Sequence, residues 1–382
     1  MWHPRARSEP ADLSGIYGRA AAQDLSTRNP VILIPGVMGS NLVDPESSAS
    51  LWGDFRERFI KPKRQRGRRL FALPMARGEP LHRLLNPAEA DGTLRRAKAS
   101  FAGVHFEWPV YGTLMTVLGI AAYSLAGTGR GKAPVYSEEA QAASFEFAYD
   151  WRRSVDENAA RLYDFVQLAS YFVRARRSQA GPVKFDVIAH SMGGLVLRYF
   201  LQYGGQLLPH DGSLPRLSWA GADHVEHAII IGTPNGGSLR ALHRLVFGLA
   251  GNPVHPGYDA AVLGTMPSLY QMLPRWRHAP LRVEGQRSAP DLLDPKLWLD
   301  QEWGLADPRQ DPLLAQQLPG VDTPAERFET ALEHQRKCLR NARALQAALD
   351  RAVTKSPDLR LHLVAGDAFA TPRSALVEAK PG

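Results

Sequence analysis

The feature that most constrains the fold is an abrupt change from a strand pattern to a helix pattern within residues 183–194, Val-Lys-Phe-Asp-Val-Ile-Ala-His-Ser-Met-Gly-Gly. β-branched and apolar residues precede a small-x-Ser-x-Gly turn, and apolar residues at helical spacing follow it. A tight strand–turn–helix leaves no room for bulky side chains beside the turn, and it holds the central hydroxyl clear of the sheet. The pattern therefore predicts a nucleophile elbow at Ser191, the alternative being a buried serine in an ordinary turn. The flanking elbow residues are Ala189, His190 and Gly193.

Strand and helix patterns also alternate along the rest of the chain. Short apolar runs that are typical of buried strands occur at residues 31–34 and 228–231. Residues 145–149 alternate like a strand, and a last strand is predicted at residues 359–365. Helical patterns follow two capping boxes, Ser154 with Glu157 and Thr323 with Glu326. This alternation predicts an α/β fold with a mostly parallel sheet and helices on both faces.

The 382 residues are interpreted as a single domain. Residues 44–108 are basic and rich in proline, and we expect an irregular insertion there rather than part of the core. Residues 239–322 lack strand–helix alternation and are interpreted as a cap or lid. The core is then expected at about residues 29–43, 109–238 and 323–382.

Segments of unusual composition follow the predicted strands directly. They comprise residues 35–40, 149–152, Ser191, residues 232–238 and residues 366–367. Binding sites in parallel sheets lie at the carboxyl ends of the strands. We therefore expect the functional site at this edge.

The net charge of +8 is concentrated in part between Arg56 and Arg69. This run is either a solvated loop or a contact with anionic lipid head groups. It lacks interleaved aromatic residues, so we expect no nucleic-acid partner. One cysteine, no signal-peptide pattern and no membrane-length apolar run lead us to expect a cytoplasmic protein, peripheral at membranes if the basic run binds lipid.

Several of these segments together resemble the lecithin:cholesterol acyltransferase-like family of α/β-hydrolases, which includes lysosomal phospholipase A2 and phospholipid:diacylglycerol acyltransferases. The matching segments keep the family's order and are residues 30–40, 149–152, 189–194, 232–238 and 268–274. The Tyr-Asp-Trp-Arg at 149–152 is the most specific of them. The resemblance implies an α/β-hydrolase fold with an inserted lid and a lipid acyl hydrolase or O-acyltransferase activity in lipid metabolism.

The resemblance also implies roles for individual residues. Ser191 is the nucleophile, and the backbone N–H groups of Val37 and Met192 form the oxyanion hole. Trp151 and Met38 line the substrate pocket, while Asp150 with Arg152 braces the turn as an ion pair. The expected partner is a lipid or other acyl ester, with an anionic membrane surface as a further possibility.

A catalytic acid and histidine are expected after the nucleophile in the order Ser, Asp, His. Asp367 is the candidate for the acid, and no histidine suited to the base follows it. We expect that the chain is incomplete at its C-terminus; the alternative is an inactive lipid-binding or scaffold relative. A carboxylesterase for small soluble esters is a further alternative. No cofactor is implied, and His224-Val-Glu-His227 lacks the spacing of a zinc site.

Overall fold

The fold is taken from a computed structural model. It describes residue 19 and residues 28–56, 59–101, 104–120, 124–126, 143–177, 181–252, 255–284, 289–354, 356, 358–368 and 370–377. Glu57 and Arg58 of the basic run lie outside these residues.

Six parallel strands form the central sheet. In chain order they are β1 (Val31–Ile34), β2 (Ser124–Ala126), β3 (Ala143–Glu146), β4 (Phe185–His190), β5 (Val225–Ile231) and β6 (Arg360–Val364). Their spatial order is β6-β5-β4-β1-β3-β2, and every pair of neighbours is parallel. The predicted α/β fold with a parallel sheet is confirmed. β1 lies in the middle, and all four of its residues are buried, as the run Val-Ile-Leu-Ile predicts for a strand covered on both faces.

Among the described residues, the three longest helices are Val155–Arg177, Met192–Tyr203 and Pro324–Asp350. The second packs against β1, β4 and β5, and the other two contact the second. The first begins after Ser154, whose Oγ donates to Glu157 Oε1 at 2.8 Å. The last begins after Thr323, whose Oγ1 accepts from the backbone N–H of Glu326 at 3.2 Å. Both predicted capping pairs therefore lie at helix starts.

The strand predicted at 145–149 is observed as β3, which begins two residues earlier and ends at Glu146. Phe147 still donates its N–H to Leu33 O at 2.9 Å. From there the chain leaves the sheet, and Tyr149 and Trp151 turn toward the segment that follows β1. The alternating pattern extends beyond the regular strand because Tyr149 is buried against the segment after β1 and not within the sheet.

Residues 44–108, expected to be irregular, contribute to two small three-stranded sheets. The first contains Ser40–Val43, Ser50–Trp52 and Glu89–Thr93, and the second contains Asp54–Phe55, Arg96–Phe101 and Val104–Pro109. A helix at Gln65–Phe71 also lies in this part, and a helix at Gly112–Ile120 follows it. The strands were missed because they are short and lack apolar alternation. The division into core, insertion and lid remains a prediction.

Residues 239–322 are mainly short helices. They are Leu239–Phe247, Ala260–Leu263, Pro267–Gln271, Pro295–Asp300 and Asp311–Gln317. A short strand, Leu281–Val283, pairs in parallel with Ala375–Val377. Of the helices in the described ranges, none is both long enough and apolar enough for a membrane crossing.

Candidate active site

Ser191 lies at the junction between β4 and the helix Met192–Tyr203, with φ +52° and ψ −125°. Non-glycine residues rarely adopt a positive φ, and such strain costs about 1–3 kcal/mol. The backbone N–H of Ser191 donates to Ile231 O at 2.8 Å, which ties the junction to β5. The side chain is half-buried. The sharp turn expected from the sequence is therefore present, and it presents a partly accessible hydroxyl.

Close packing explains why small residues surround Ser191. A Cβ added at Gly193 would lie 2.4 Å from Pro35 O and 2.7 Å from Ile34 O. These backbone oxygens belong to the end of β1 and cannot move cheaply. Ala189 has no exposed surface. The elbow can thus pack directly against the central strand.

The segment after β1 forms a tight turn beside Ser191. Gly39 N–H donates to Gly36 O at 3.0 Å, and Met38 adopts φ +62°. A Cβ added at Gly36 would approach Ser191 Cβ to 2.8 Å. The turn that carries Val37 is therefore in contact with the elbow.

Two backbone N–H groups at this contact are available. Met192 is the first residue of its helix, so its N–H has no intrahelical acceptor. In the described part of the chain, Val37 N–H likewise has no hydrogen-bond acceptor. Gly36 N–H, by contrast, donates to the Tyr111 hydroxyl at 2.8 Å. Val37 and Met192 therefore each have an N–H group without an acceptor among the described residues, and their role as the oxyanion hole stays a prediction.

Two tryptophans donate hydrogen bonds to the turn that follows β1. Trp151 Nε1 donates to Ser40 O at 3.2 Å, and Trp52 Nε1 donates to Met38 O at 2.8 Å. Their rings meet edge to face at 5.8 Å. Trp151 is 0% exposed, so in this structure it presents no surface to a substrate. Its role as a pocket wall remains a prediction, while its observed contact is with the turn.

Met38, the other predicted pocket residue, is half-buried. Its sulfur lies 3.9 Å from Arg244 Nη1, on the helix Leu239–Phe247. Tyr149 holds the same turn through its hydroxyl, which donates to Pro35 O at 2.7 Å. Met38 therefore connects the turn to the predicted lid, and its role in the substrate pocket stays a prediction.

Asp150 and Arg152 form a fully buried ion pair. Arg152 donates from Nε and Nη2 to the two carboxylate oxygens at 2.9 and 2.8 Å. Its Nη1 also donates to Leu70 O and Phe71 O, at 3.0 and 2.9 Å. The pair thus joins the segment after β3 to the helix Gln65–Phe71. The sequence predicts that this pair braces the turn. The structure adds hydrogen bonds from Arg152 to the segment 44–108.

Tyr111 is a site residue that the sequence did not reveal. Its oxygen accepts from Gly36 N–H and lies 2.7 Å from His190 Nδ1. Burial raises the pKa of Tyr111, so the hydroxyl keeps its proton at neutral pH and can donate it to His190. In the sequence, Tyr111 is marked only by its helical spacing to Leu114 and Leu118. Its hydroxyl connects the turn after β1 to the elbow.

Tyr111→Phe should reduce the free energy of unfolding by about 1–3 kcal/mol, because it leaves the buried N–H of Gly36 without an acceptor. Urea denaturation followed by circular dichroism measures the change. The control is Tyr171→Phe, whose ring is 64% exposed. Equal effects of the two substitutions would contradict the assigned role of Tyr111.

The predicted acid, Asp367, is exposed and follows β6 by three residues. It lies at the same edge of the sheet as Ser191, because β6 runs parallel to β5 and β4. Among the described residues, Ser191 Oγ makes no hydrogen bond to a histidine. His362 instead stacks on His227, with Nε2 and Nδ1 2.9 Å apart. Asp367 as the acid stays a prediction.

Metal ligands do not gather at this edge. The described residues contain no group of three or more His, Cys, Asp or Glu side chains arranged to hold a metal ion. His224 instead contacts Gln167 through Nε2, at 3.0 Å.

Comparison with known proteins bears on this site. Residues 137–287 match the sequence model of the lecithin:cholesterol acyltransferase family. The matched range contains the elbow and the Tyr-Asp-Trp-Arg segment. The resemblance to the lecithin:cholesterol acyltransferase-like family is confirmed.

A solved structure also resembles this chain. It is described as "The crystal structure of Tle4-Tli4 complex" and aligns with a TM-score of 0.51 at 19% sequence identity. The alignment covers 83% of this chain and 72% of that chain. At this identity the likeness concerns the fold, which is consistent with an α/β-hydrolase fold. Curated protein sequences yield no match.

Proposed function

We propose that the chain is a serine-dependent lipid acyl hydrolase or O-acyltransferase with Ser191 as its nucleophile. The observation that carries the proposal is the half-buried hydroxyl on a strained junction, packed against the turn of Gly36 and Val37. A side chain with φ +52° persists only where the surroundings impose it, and such strain concentrates at functional sites.

The reaction has two steps. Ser191 Oγ attacks the ester carbonyl carbon, and the negative charge that develops on the carbonyl oxygen accepts hydrogen bonds from Val37 N–H and Met192 N–H. Each such donor lowers the barrier by about 3 kcal/mol. The alcohol then leaves with a proton, and the acyl group remains on Ser191. Water or a lipid alcohol attacks this acyl-enzyme and releases a carboxylic acid or a new ester.

A base must take the proton from Ser191 in the first step, since a serine hydroxyl is scarcely ionised at neutral pH. We propose Asp367 as the acid that would orient a histidine base, because it lies at the sheet edge that carries Ser191. The lack of a histidine at Oγ among the described residues favours the second candidate function, that of an inactive lipid-binding protein.

We also propose that the substrate lies at an anionic lipid surface. Five side chains of the basic run are exposed: Lys61, Lys63, Arg64, Arg66 and Arg69. Arg68 is used internally instead, since its Nη1 donates to Gln316 Oε1 at 2.8 Å. The exposed members add attraction to anionic head groups that falls off within a Debye length.

Substrate choice separates the lipid enzyme from a carboxylesterase. We expect kcat/KM for long-chain acyl esters in vesicles to exceed that for p-nitrophenyl acetate by about tenfold or more, because each methylene buried in an acyl groove adds about 0.8 kcal/mol. Hydrolysis is followed by release of fatty acid and of nitrophenolate, with Ser191→Ala as the blank. A preference for the acetate would favour the carboxylesterase. Vesicle binding without any turnover would favour the inactive lipid-binding protein.

A further inference from the structure

Three arginines lie near one carboxylate, that of Asp350, beside the helix that starts at the elbow. Arg275 Nε lies 3.2 Å from Asp350 Oδ2, and Arg277 Nη1 contacts the same oxygen. Arg198 extends toward them from two turns along the helix after Ser191. Its guanidinium donates to Asn235 Oδ1 at 2.7 Å and to Leu349 O at 2.8 Å.

Positive charge exceeds negative charge in this cluster. The charges of Arg198 and Arg277 both lower the pKa of Arg275, after a larger contribution from burial, whereas the charge of Asp350 raises it. One carboxylate therefore faces three guanidinium groups in the described part of the chain. Such an imbalance attracts an anion, and Arg is the residue that binds phosphate oxygens best.

Arg275 also has donor capacity that the protein leaves unused. Its side chain is 3% exposed, and its Nη2 has no hydrogen-bond partner among the described residues. A buried guanidinium N–H without an acceptor is costly, which makes a missing ligand the simplest explanation. The side chain of Arg277 is 52% exposed, so the cluster has an opening to solvent.

The backbone fixes the positions of these arginines. Arg275 N–H donates to Gly236 O at 2.9 Å. A Cβ added at Gly237 would lie 2.3 Å from Pro274 Cα, so the two segments touch. Asn235, which holds Arg198, belongs to the same loop after β5. The cluster is therefore preorganised, which lowers the entropy cost of binding.

We propose that Arg198, Arg275 and Arg277 form a binding site for a phosphate group, separate from the ester-binding site at Ser191. The ligand is a phosphomonoester-type dianion, whose charge matches the two positive charges that Asp350 leaves uncompensated. Such a group occurs on soluble metabolites and on the head group of phosphatidic acid. Binding requires neither Ser191 nor acyl chemistry.

Calorimetric titration of the whole chain with inorganic phosphate tests the site. We expect Arg275→Lys to weaken binding about tenfold, because lysine keeps the charge but loses Nη2. Arg277→Gln should weaken it by a similar factor. Arg340→Gln, at an exposed position on the helix that ends at Asp350, should leave the affinity unchanged. Thermal melts without phosphate show whether each variant is folded.

Asp350→Asn should change the phosphate affinity in the opposite direction. Removing the carboxylate removes repulsion against phosphate, so binding should become several-fold tighter. Weaker binding by a folded Asp350→Asn variant would contradict the proposal. Absence of phosphate binding by the wild-type chain, or equal losses in Arg340→Gln and Arg277→Gln, would overturn the proposal.

Vesicles distinguish the two sources of phosphate. If the site takes a lipid head group, the chain should bind phosphatidylcholine vesicles containing phosphatidic acid, and Arg277→Gln should reduce this binding while Arg340→Gln does not. If only inorganic phosphate binds, the natural ligand is a soluble phosphate compound. Ser191→Ala should bind phosphate like the wild type, so failure of the ester chemistry would leave this site unaffected.

Discussion

Ser191→Ala is expected to reduce acyl-ester turnover about a thousandfold or more, because the acyl group then has no nucleophile to accept it. The substitution removes one oxygen from a half-buried position and keeps the backbone conformation. The free energy of unfolding should therefore change by less than about 0.5 kcal/mol. Initial rates with a long-chain acyl ester and urea denaturation measure the two effects.

Ser191→Gly is the matched variant for the strained backbone. Glycine adopts φ +52° without steric cost. We expect it to be inactive like Ser191→Ala but more stable than that variant by about 1 kcal/mol. A glycine variant no more stable than the alanine variant would show that the junction is not strained.

Arg152→Met should destabilise the fold by about 3–5 kcal/mol, because it leaves the buried Asp150 charge without its partner. The guanidinium has no exposed surface and bonds Asp150 through two nitrogens. Its contacts to Leu70 O and Phe71 O are lost as well. Urea denaturation measures the loss. Adding Asp150→Asn to Arg152→Met should recover part of it, since the unpaired charge is then removed.

The matched control is Arg309→Met. Arg309 bonds Asp307 two residues earlier, as Arg152 bonds Asp150, but its side chain is 83% exposed. This substitution should barely change stability, because water screens the pair. A loss as large as that of Arg152→Met would mean that burial does not decide the strength of the pair.

The Asp150 pair also predicts the response to acid. Burial alone would raise the pKa of Asp150, but the charge and hydrogen bonds of Arg152 outweigh burial and hold the pKa below its ordinary 3.8. The pair therefore contributes its stability in full above that value. The contribution is lost as the pH falls through 3.8 toward the lower folded pKa. Arg152→Met should remove this part of the acid sensitivity.

The framework of the site could be predicted from sequence because its signals are local. The elbow at Ser191 combines a strand ending, a small-residue turn and a helix start within twelve residues. The apolar run of β1 predicts a buried strand, and Thr323 with Glu326 predicts a helix start. These patterns depend on neighbours along the chain.

Contacts between distant segments could not be predicted in the same way. Tyr111 reaches Gly36 across 75 residues of sequence, and Trp52 holds Met38 through an indole N–H. The bond from Trp151 Nε1 to Ser40 O likewise joins segments 111 residues apart. These contacts form only when three segments that are distant in sequence pack around the turn after β1.

Labelling by a fluorophosphonate probe tests the central claim most directly, since the probe reacts with an activated serine. We predict a single adduct that peptide mapping places on Ser191, and its loss in Ser191→Ala. The adduct should also be lost on heat unfolding, because activation depends on the folded turn. A folded wild-type chain that takes no label, or equal labelling of Ser191→Ala, would contradict the assignment of Ser191 as the nucleophile.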